Sequence, residues 1–304
     1  MKNITLRGLK IFEVAATHES FSRAAEVLDL TQPAVSMQVR QLEEDAGVAL
    51  FEKKARRVVL TDAGRALLIH ARDILARVRV AEDALKALEG DFSGQLHLGV
   101  ISPANYFAPR LMQAFRQLYP AVRMKLSMGK RDELLAALQE HQLDLVIAGF
   151  PPGHADIEAE PFARHPHCIV AAPSHRLVGR RSVGWSELRD EPFLYREPGS
   201  STRQFLEHLL QAHQLQIQVS TELHGNETIK QAVMAEMGIS FMSANAFQSE
   251  LASGQIATLD VIDMPKMLDW CLLQKRATKL TGIKALFRAF VLTHGLEAAA
   301  CKLS

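Results

Sequence analysis

Between Ser22 and Glu44 the chain reads SRAAEVLDLTQPAVSMQVRQLEE, and this stretch limits the fold more than any other. Helical spacing begins, stops at Asp29-Leu30-Thr31, and begins again. Ala24, Ala25 and Leu28 form the apolar side of a short helix, which Ser20 or Ser22 can cap by accepting an orphan backbone N–H. The two alanines let another helix backbone come close. Thr31 is placed to cap the next helix, and Pro33 fits its first turn, where a missing N–H costs little. Val35, Val39 and Leu42 follow at i, i+4 and i+7 and face inward, so Pro33, Ser36, Met37 and Arg40 point the other way. A helix ahead of the pair carries Leu6, Leu9, Phe12 and Ala16 as its apolar stripe.

A tight pair of helices whose second member keeps a small polar face meets the needs of a groove about 12 Å wide. Gln32 near the helix start can reach a base edge or a phosphate, and Arg40 suits guanine O6/N7 or a phosphate. An ordinary helical hairpin with solvated polar residues has the same spacing, which alone leaves both open. Charge does not decide between them. The net charge is +1, but Lys53, Lys54, Arg56, Arg57, Arg65, Arg72, Arg77 and Arg79 crowd one segment against Asp62 and Asp73. Such a run is either a solvated surface or a footprint for phosphates.

Thr61 can cap a long helix, with Asp62 well placed against its N-terminal dipole. Leu67, Ala71, Ile74, Val78, Ala81, Leu85 and Leu88 alternate in steps of four and three along it, and Gly90 ends it. A seam of this kind either pairs with a second copy of itself or packs on the protein's own body. Pairing is the expectation, because charges flank the seam on both sides.

Past Gly94 the pattern becomes strand, helix, strand, helix, strand, through QLHLGVI, SPANYFAPRLMQAFRQLYP, VRMKLSM, KRDELLAALQEH and LDLVIAGF. That order predicts a mostly parallel sheet with right-handed crossovers. A second round runs through HPHCIVAAP, FLYRE, STRQFLEHLLQAH, LQIQVSTELH, NETIKQAVMAEM and GISFM, and LDWCLLQK with GIKALFRAF returns to the first lobe. In such sheets ligands bind off the strand ends, where helix N-termini present free N–H groups. Four segments qualify: Ile101-Ser102-Pro103-Ala104-Asn105, Met128-Gly129-Lys130-Arg131, Gly199-Ser200-Ser201-Thr202-Arg203 and His224-Gly225-Asn226-Glu227-Thr228. Each alone reads as a helix cap. Together they predict a cleft for a carboxylate or phosphate, served by hydroxyls, backbone N–H groups, Lys130 and Arg203.

An apolar share of 48% and a charged share of 23% suit a globular chain with real cores. No stretch nears the roughly 18 apolar residues of a membrane span, and the N-terminus lacks a secretory pattern. Cys168, Cys271 and Cys301 lie far apart, which argues against disulfides or a zinc site and for a reducing cytoplasm. His165 and His167 share one face of a strand with Cys168 opposite; they read as exposed histidines, at best a weak metal pair. No nucleophile elbow, metalloprotease motif or phosphate-loop lysine occurs, so neither an enzyme nor a cofactor is expected.

The run FSRAAEVLDLTQPAVSMQVRQLEEDAGVALFEKKARRVVLTDAG resembles the N-terminal winged helix-turn-helix of LysR-type transcriptional regulators. Ala24-Ala25, Thr31 to Ser36, Gln41-Leu42-Glu43, Leu50-Phe51 and Leu60-Thr61 with Gly64 carry the likeness. It implies DNA contacts from Ser22, Thr31, Gln32, Pro33, Ser36, Met37 and Arg40. It also implies wing strands at Val48–Phe51 and Arg57–Leu60, with Lys53, Lys54, Arg56 and Arg57 at the tip. The implied layout is a DNA-binding domain over 1–60, a dimerisation helix over 61–90 and an effector domain of two α/β lobes, like periplasmic binding proteins, over 91–304. The first lobe takes about 91–162 and 267–304 and the second about 163–266.

Within that family, ANYFAPRLMQAFRQLYPAVRMKLSMGKRDELLAALQEHQLDLVIAG and YREPGSSTR are similar to regulators of Calvin-cycle carbon-fixation operons. The resemblance implies promoter DNA as partner, a dimer or tetramer, contact with RNA polymerase, and sugar phosphates, related phosphorylated metabolites or NADPH as effectors. It places Ser102, Ala104, Asn105, Gly129, Lys130, Phe150, Ser200, Ser201, Thr202, Arg203, Asn226, Glu227 and Thr228 at the effector, with Phe150 standing where an arginine is usual. Regulators of other metabolic operons share the pattern. A small-molecule-binding protein that uses its helical N-terminus only to oligomerise is the reading from another class.

Overall fold

The computed structural model describes residues 4–54, 57–88, 92–149 and 156–301. The chain divides into two compact units, Met1–Leu85 and Lys86–Ser304. In the first, α1 (Leu6–His18), α2 (Phe21–Leu28) and α3 (Gln32–Ala46) precede the hairpin β1 (Phe51–Lys54) and β2 (Arg57–Leu60), and α4 (Asp62–Leu88) leaves it. The helix starts follow their caps. Thr5, Ser20 and Thr31 each accept an N–H from the first turn, and Asp29 takes a left-handed conformation to end α2.

Two cores share α1. Ile11, Val14 and Ala15 meet Ala24, Ala25, Val35 and Val39 on one side. Leu9 and Phe12 meet Leu42, Leu50, Ala71 and Leu75 on the other. This clasp extends the single stripe read from the sequence: Leu9 and Phe12 are buried as read, but Leu6 is 49% exposed and Ala16 half-buried, and Ile11, Val14 and Ala15 form a second packing face. The first wing strand is Phe51–Lys54 and not Val48–Phe51, because Glu43 accepts the N–H groups of Leu50 and Phe51 and fixes where pairing begins.

In the second unit β3 (Gly94–Val100) leads through a 3-10 turn, Ser102–Tyr106, to α5 (Ala108–Leu118), β4 (Val122–Met128), α6 (Arg131–Gln139) and β5 (Leu145–Gly149). There follow β6 (Ile157–Ala171), β7 (Phe193–Arg196), α7 (Ser201–Ala212), β8 (Val219–Leu223), α8 (Gly225–Met234) and β9 (Ser240–Ser243). Then come α9 (Gln248–Ala252), β10 (Ala257–Thr258), β11 (Lys266–Lys275) and α10 (Gly282–Ala299). The strand order β10-β6-β11-β5-β3-β4, with β9 also on β6, is mixed and not mostly parallel. β3 pairs in parallel with β4 and β5, but β11 is antiparallel to both β5 and β6.

The strand expected to start at His165 is 15 residues long. Pro161 and Pro166 argue against a continuous strand, yet β11 pairs along its length through a register shift that accommodates Pro161 at Cys271. One core gathers β3, β5, α5, β11 and α10 around Phe107, Phe115, Trp270 and Phe287. Others form on the two sides of β6 and β9, around Phe193 and Phe241 and around Ile229 and Phe247.

Gly64 sits where a Cβ would stand 2.1 Å from the Leu50 carbonyl oxygen, so α4 and the chain entering the wing touch backbone to backbone. Gly47, with φ +74, meets nothing within 4 Å and needs only its left-handed conformation. In chemical denaturation of the full chain, Gly64→Ala should lose about 1–3 kcal/mol from this unit through overpacking. Gly47→Ala should lose about 1–2 kcal/mol from conformation alone, and repacking should show only for Gly64→Ala.

Candidate DNA-reading face and effector cleft

On α3 the inward residues are fully committed and the outward ones are not. Val35, Val39 and Leu42 are buried, whereas Thr31, Gln32, Pro33, Met37 and Arg40 are exposed and Ser36 is half-buried. Arg40 meets Glu44 at 3.5 Å, with both side chains in solvent. An exposed pair of this type contributes about 0.3–0.5 kcal/mol, so the guanidinium can leave it for a stronger anion. Ser22 is exposed on the first turn of α2. Beside α3 the wing presents Lys53, Lys54 and Arg57, of which Lys54 pairs with Glu52 at 3.0 Å and Arg57 with Glu19 at 3.4 Å. Arg56 lies outside the described residues.

Glu43, whose role the sequence reading left unassigned, ties this face together. Its carboxylate accepts from Leu50 N at 2.8 Å and from Phe51 N at 3.0 Å, so the last turn of α3 holds the root of the wing.

The seam of α4 is divided. Ala71 is fully buried in the core of its own unit and Leu67 packs against that core, which corrects their assignment to a dimer contact. The heptad seam overlaps the face that α1 needs. Farther along, Ile74, Ala81, Leu85 and Leu88 are exposed and Val78 half-buried; Leu85 is 65% and Leu88 85% exposed.

In the second unit, a cavity of about 240 Å³ lies at the ends of β3 and β4 and the starts of α6 and α7, lined by Ser102, Gly129, Lys130, Ser200, Ser201 and Thr202. Lys130 lies along Gly199: a Cβ there would stand 3.5 Å from its Cδ and 3.9 Å from its Nζ. No side chain caps α7, which leaves its first N–H groups to the cavity. Asn226 is buried, donates from Nδ2 to Ser102 Oγ at 3.1 Å and accepts from Arg196.

Arg196 in turn makes a bidentate pair with Glu197, both bonds 2.8 Å, and Glu197 accepts from Gly225 N at 3.1 Å. Burial pushes the Glu197 carboxyl up, but the hydrogen bonds and charge of Arg196 and the Gly225 N–H outweigh it and hold the group at about 2. The Arg196–Glu197 pair therefore stays ionised and braces Asn226 against Ser102.

Several expected residues are turned away. Arg203 is engaged by Glu207 at 2.8 Å, Glu222 at 2.6 Å and the Arg196 carbonyl at 3.0 Å, lies over Tyr195, and does not line the cavity. Ala104 belongs to the core, and Asn105 and Thr228 are exposed away from the cavity. Glu227 binds the Tyr106 hydroxyl and Lys230. Phe150 lies outside the described residues.

A second cavity of about 240 Å³ shares Ile101, Pro103, Arg131, Ser201 and Thr202 with the first and continues to His165 and His167. These histidines are buried, contrary to the exposed pair expected, because β11 brings Trp270 flat against His165 and β9 brings Phe241 against His167. Burial lowers His165 to about 3, and burial with His165 nearby lowers His167 well below its ordinary range, so both rings are neutral. Burial also pushes the Cys168 thiol up to about 12 and the Cys271 thiol up to about 11, so neither supplies a thiolate. Among the described residues no group of His, Cys, Asp or Glu is arranged to hold a metal, and no helix is long and apolar enough to cross a membrane.

Glu43→Ala should remove both anchors of the wing root. Charge-assisted bonds contribute about 1.5–3 kcal/mol, so a lower denaturation midpoint should accompany weaker duplex binding, although Glu43 itself need not touch DNA. Unchanged stability would rule out this tether.

Residues 6–65 match the bacterial regulatory helix-turn-helix protein, lysR family, and residues 89–295 match the LysR substrate binding domain. The chain is 43% identical over 297 residues to the HTH-type transcriptional regulator CfxR of Cupriavidus necator, covering 98% of this chain and 94% of that one. It is 40% identical over 292 residues to a RuBisCO operon transcriptional regulator of Allochromatium vinosum, covering 96% and 97%. The regulatory domain of Synechocystis PCC6803 CcmR, solved in complex with 2-PG, is 33% identical with a TM-score of 0.64, covering 66% of this chain and 97% of that one. By their names these relatives are regulators. The chain belongs to the LysR family of bacterial transcriptional regulators, with a helix-turn-helix DNA-binding domain followed by an effector-binding domain.

Proposed function

We propose that this regulator controls a carbon-fixation operon, reading promoter DNA through α3 and the wing and sensing a small phosphorylated or carboxylated metabolite between the lobes of its second unit. The observation that carries the sensing role is the cavity where Lys130, the uncapped start of α7, and hydroxyls from Ser102, Ser200, Ser201 and Thr202 converge. That donor set fits an oxyanion, and Lys130 and Arg131 bring cationic charge to its wall, whereas Arg203 is engaged elsewhere. The similarity to regulators of RuBisCO operons supports the target, and the 2-PG complex of a related domain supports the ligand class.

The exposed half of the α4 seam supports a dimer, with a tetramer of two dimers as the working form. RNA polymerase at the promoter and a cytoplasmic setting complete this reading. A ligand that changes the angle between the lobes changes how the paired helices hold the reading heads; a coupling of about 1–3 kcal/mol is enough for a useful switch.

Binding of inorganic phosphate or glycerol 3-phosphate, measured by calorimetry, should weaken by about 1.5–3 kcal/mol in Lys130→Ala and hold in Arg203→Ala; the reverse ranking would sink this assignment of the cation. Arg40→Ala should cost about 1–3 kcal/mol in specific duplex binding while sedimentation still gives the wild-type oligomer, whereas unaltered binding favours the oligomerising small-molecule binder. Leu85→Glu with Leu88→Glu should shift sedimentation toward monomer at concentrations where wild type is associated. Ala71→Glu should instead unfold the first unit.

A further inference from the structure

His165 and His167 are costly to bury, and neither has a role in the phosphate end of the cleft. They are 1% and 2% exposed, and their rings are held rigidly. His165 stacks on Trp270 at 4.0 Å and meets Ser243 Oγ through Nδ1 at 2.9 Å, while His167 stacks on Phe241 at 5.2 Å. Yet His165 Nε2 and His167 Nδ1 are both buried with no hydrogen-bond partner among the described residues. A buried polar atom left in that condition costs about as much as a lost hydrogen bond. Both histidines line the second cavity, and Gly149 keeps its wall low: a Cβ there would stand 3.5 Å from His165 Nε2. Phe205, Leu268, Ile101 and Pro103 supply its apolar walls.

We infer that the His165–His167 wall is a second recognition subsite, which reads hydroxyl groups on the uncharged part of an anionic effector whose phosphate or carboxylate sits at Lys130. The inference rests on the sensing role proposed above and adds the other half of the ligand. A neutral imidazole carries one N–H and one lone-pair nitrogen. Two of them therefore offer both donor and acceptor capacity, which matches a hydroxyl, itself a donor and an acceptor. A second phosphate or carboxylate would need donors only, would find no balancing charge on the neutral histidines, and would have to share Arg131 with the anion in the first cavity. Continuity through Pro103, Arg131, Ser201 and Thr202 allows one ligand to occupy both cavities. The subsite makes the regulator select hydroxylated metabolites over their deoxy counterparts.

The test is calorimetry on the full chain with matched open-chain probes: glycerol 3-phosphate against propyl phosphate, and erythritol 4-phosphate against butyl phosphate, with inorganic phosphate alongside. Wild type should bind the hydroxylated member of each pair about tenfold more tightly. His165→Leu combined with His167→Leu should abolish that preference while leaving inorganic phosphate and the alkyl phosphates bound as before. A readout without any histidine change guards against misfolding. The chain has two tryptophans, so Trp185→Phe leaves Trp270, stacked on His165, as the reporter. Erythritol 4-phosphate should alter its emission and butyl phosphate should not. Equal binding of polyol and alkyl phosphates by wild type, with Trp270 silent to both, overturns the hydroxyl subsite and leaves the phosphate end standing. Failure of every probe, inorganic phosphate included, removes the anion end and this subsite with it.

Discussion

A helix can lie in the major groove only if the side it offers is not already needed to hold the protein together. The first unit meets that condition by burying only Val35, Val39 and Leu42 of α3 in its core. The alanines of α2 let this short stripe suffice, because they bring helix backbones close enough for few side chains to fill the gap. Glu43 then uses the end of the same helix to seat the wing. The outer face, from Gln32 to Arg40, is left with weak local contacts and can exchange water for base edges and phosphates at little cost to the fold.

The second unit solves a different problem, holding polar groups in a cleft without letting them collapse on one another. Its buried Arg196–Glu197 pair is fully hydrogen-bonded and spends its charge on Asn226 and Gly225. A buried pair of this kind adds little net stability. Its effect is positional: it orients Asn226 toward Ser102 and keeps carboxylate charge occupied beside a cavity that is otherwise rich in donors. Lys130 and the start of α7 are thereby left for a ligand.

Local features were legible in the sequence where the physics is local. Thr31 as cap, Pro33 in the first turn and the inward set on α3 depend on neighbours within a turn or two, and all stand as read. The cleft segments at Ser102, Gly129-Lys130 and Ser200 to Thr202 were legible for the same reason, since each closes a strand and opens a helical turn. The misreadings have a different origin. A heptad pattern is the same whether the seam meets a partner or its own body, so Leu67 and Ala71 could not be told from Leu85 and Leu88 until α1 was in place. Strand alternation put His165 and His167 on one face, but whether that face is buried depends on Trp270, far along the chain and supplied by β11. The engagement of Arg203 has a local signature in the sequence: Glu207 lies four residues on, the spacing at which helical ion pairs form.

The proposed function requires the chain to hold DNA by neutralising its backbone while α3 reads the bases. The direct measurement is the affinity of the full chain for a duplex from a RuBisCO-operon promoter over a range of salt concentrations. Each phosphate neutralised contributes a slope of about −0.9 to log affinity against log salt. A steep linear fall, together with tighter binding than to a scrambled duplex at every salt, is the expected result. An affinity that ignores salt and sequence alike would contradict it.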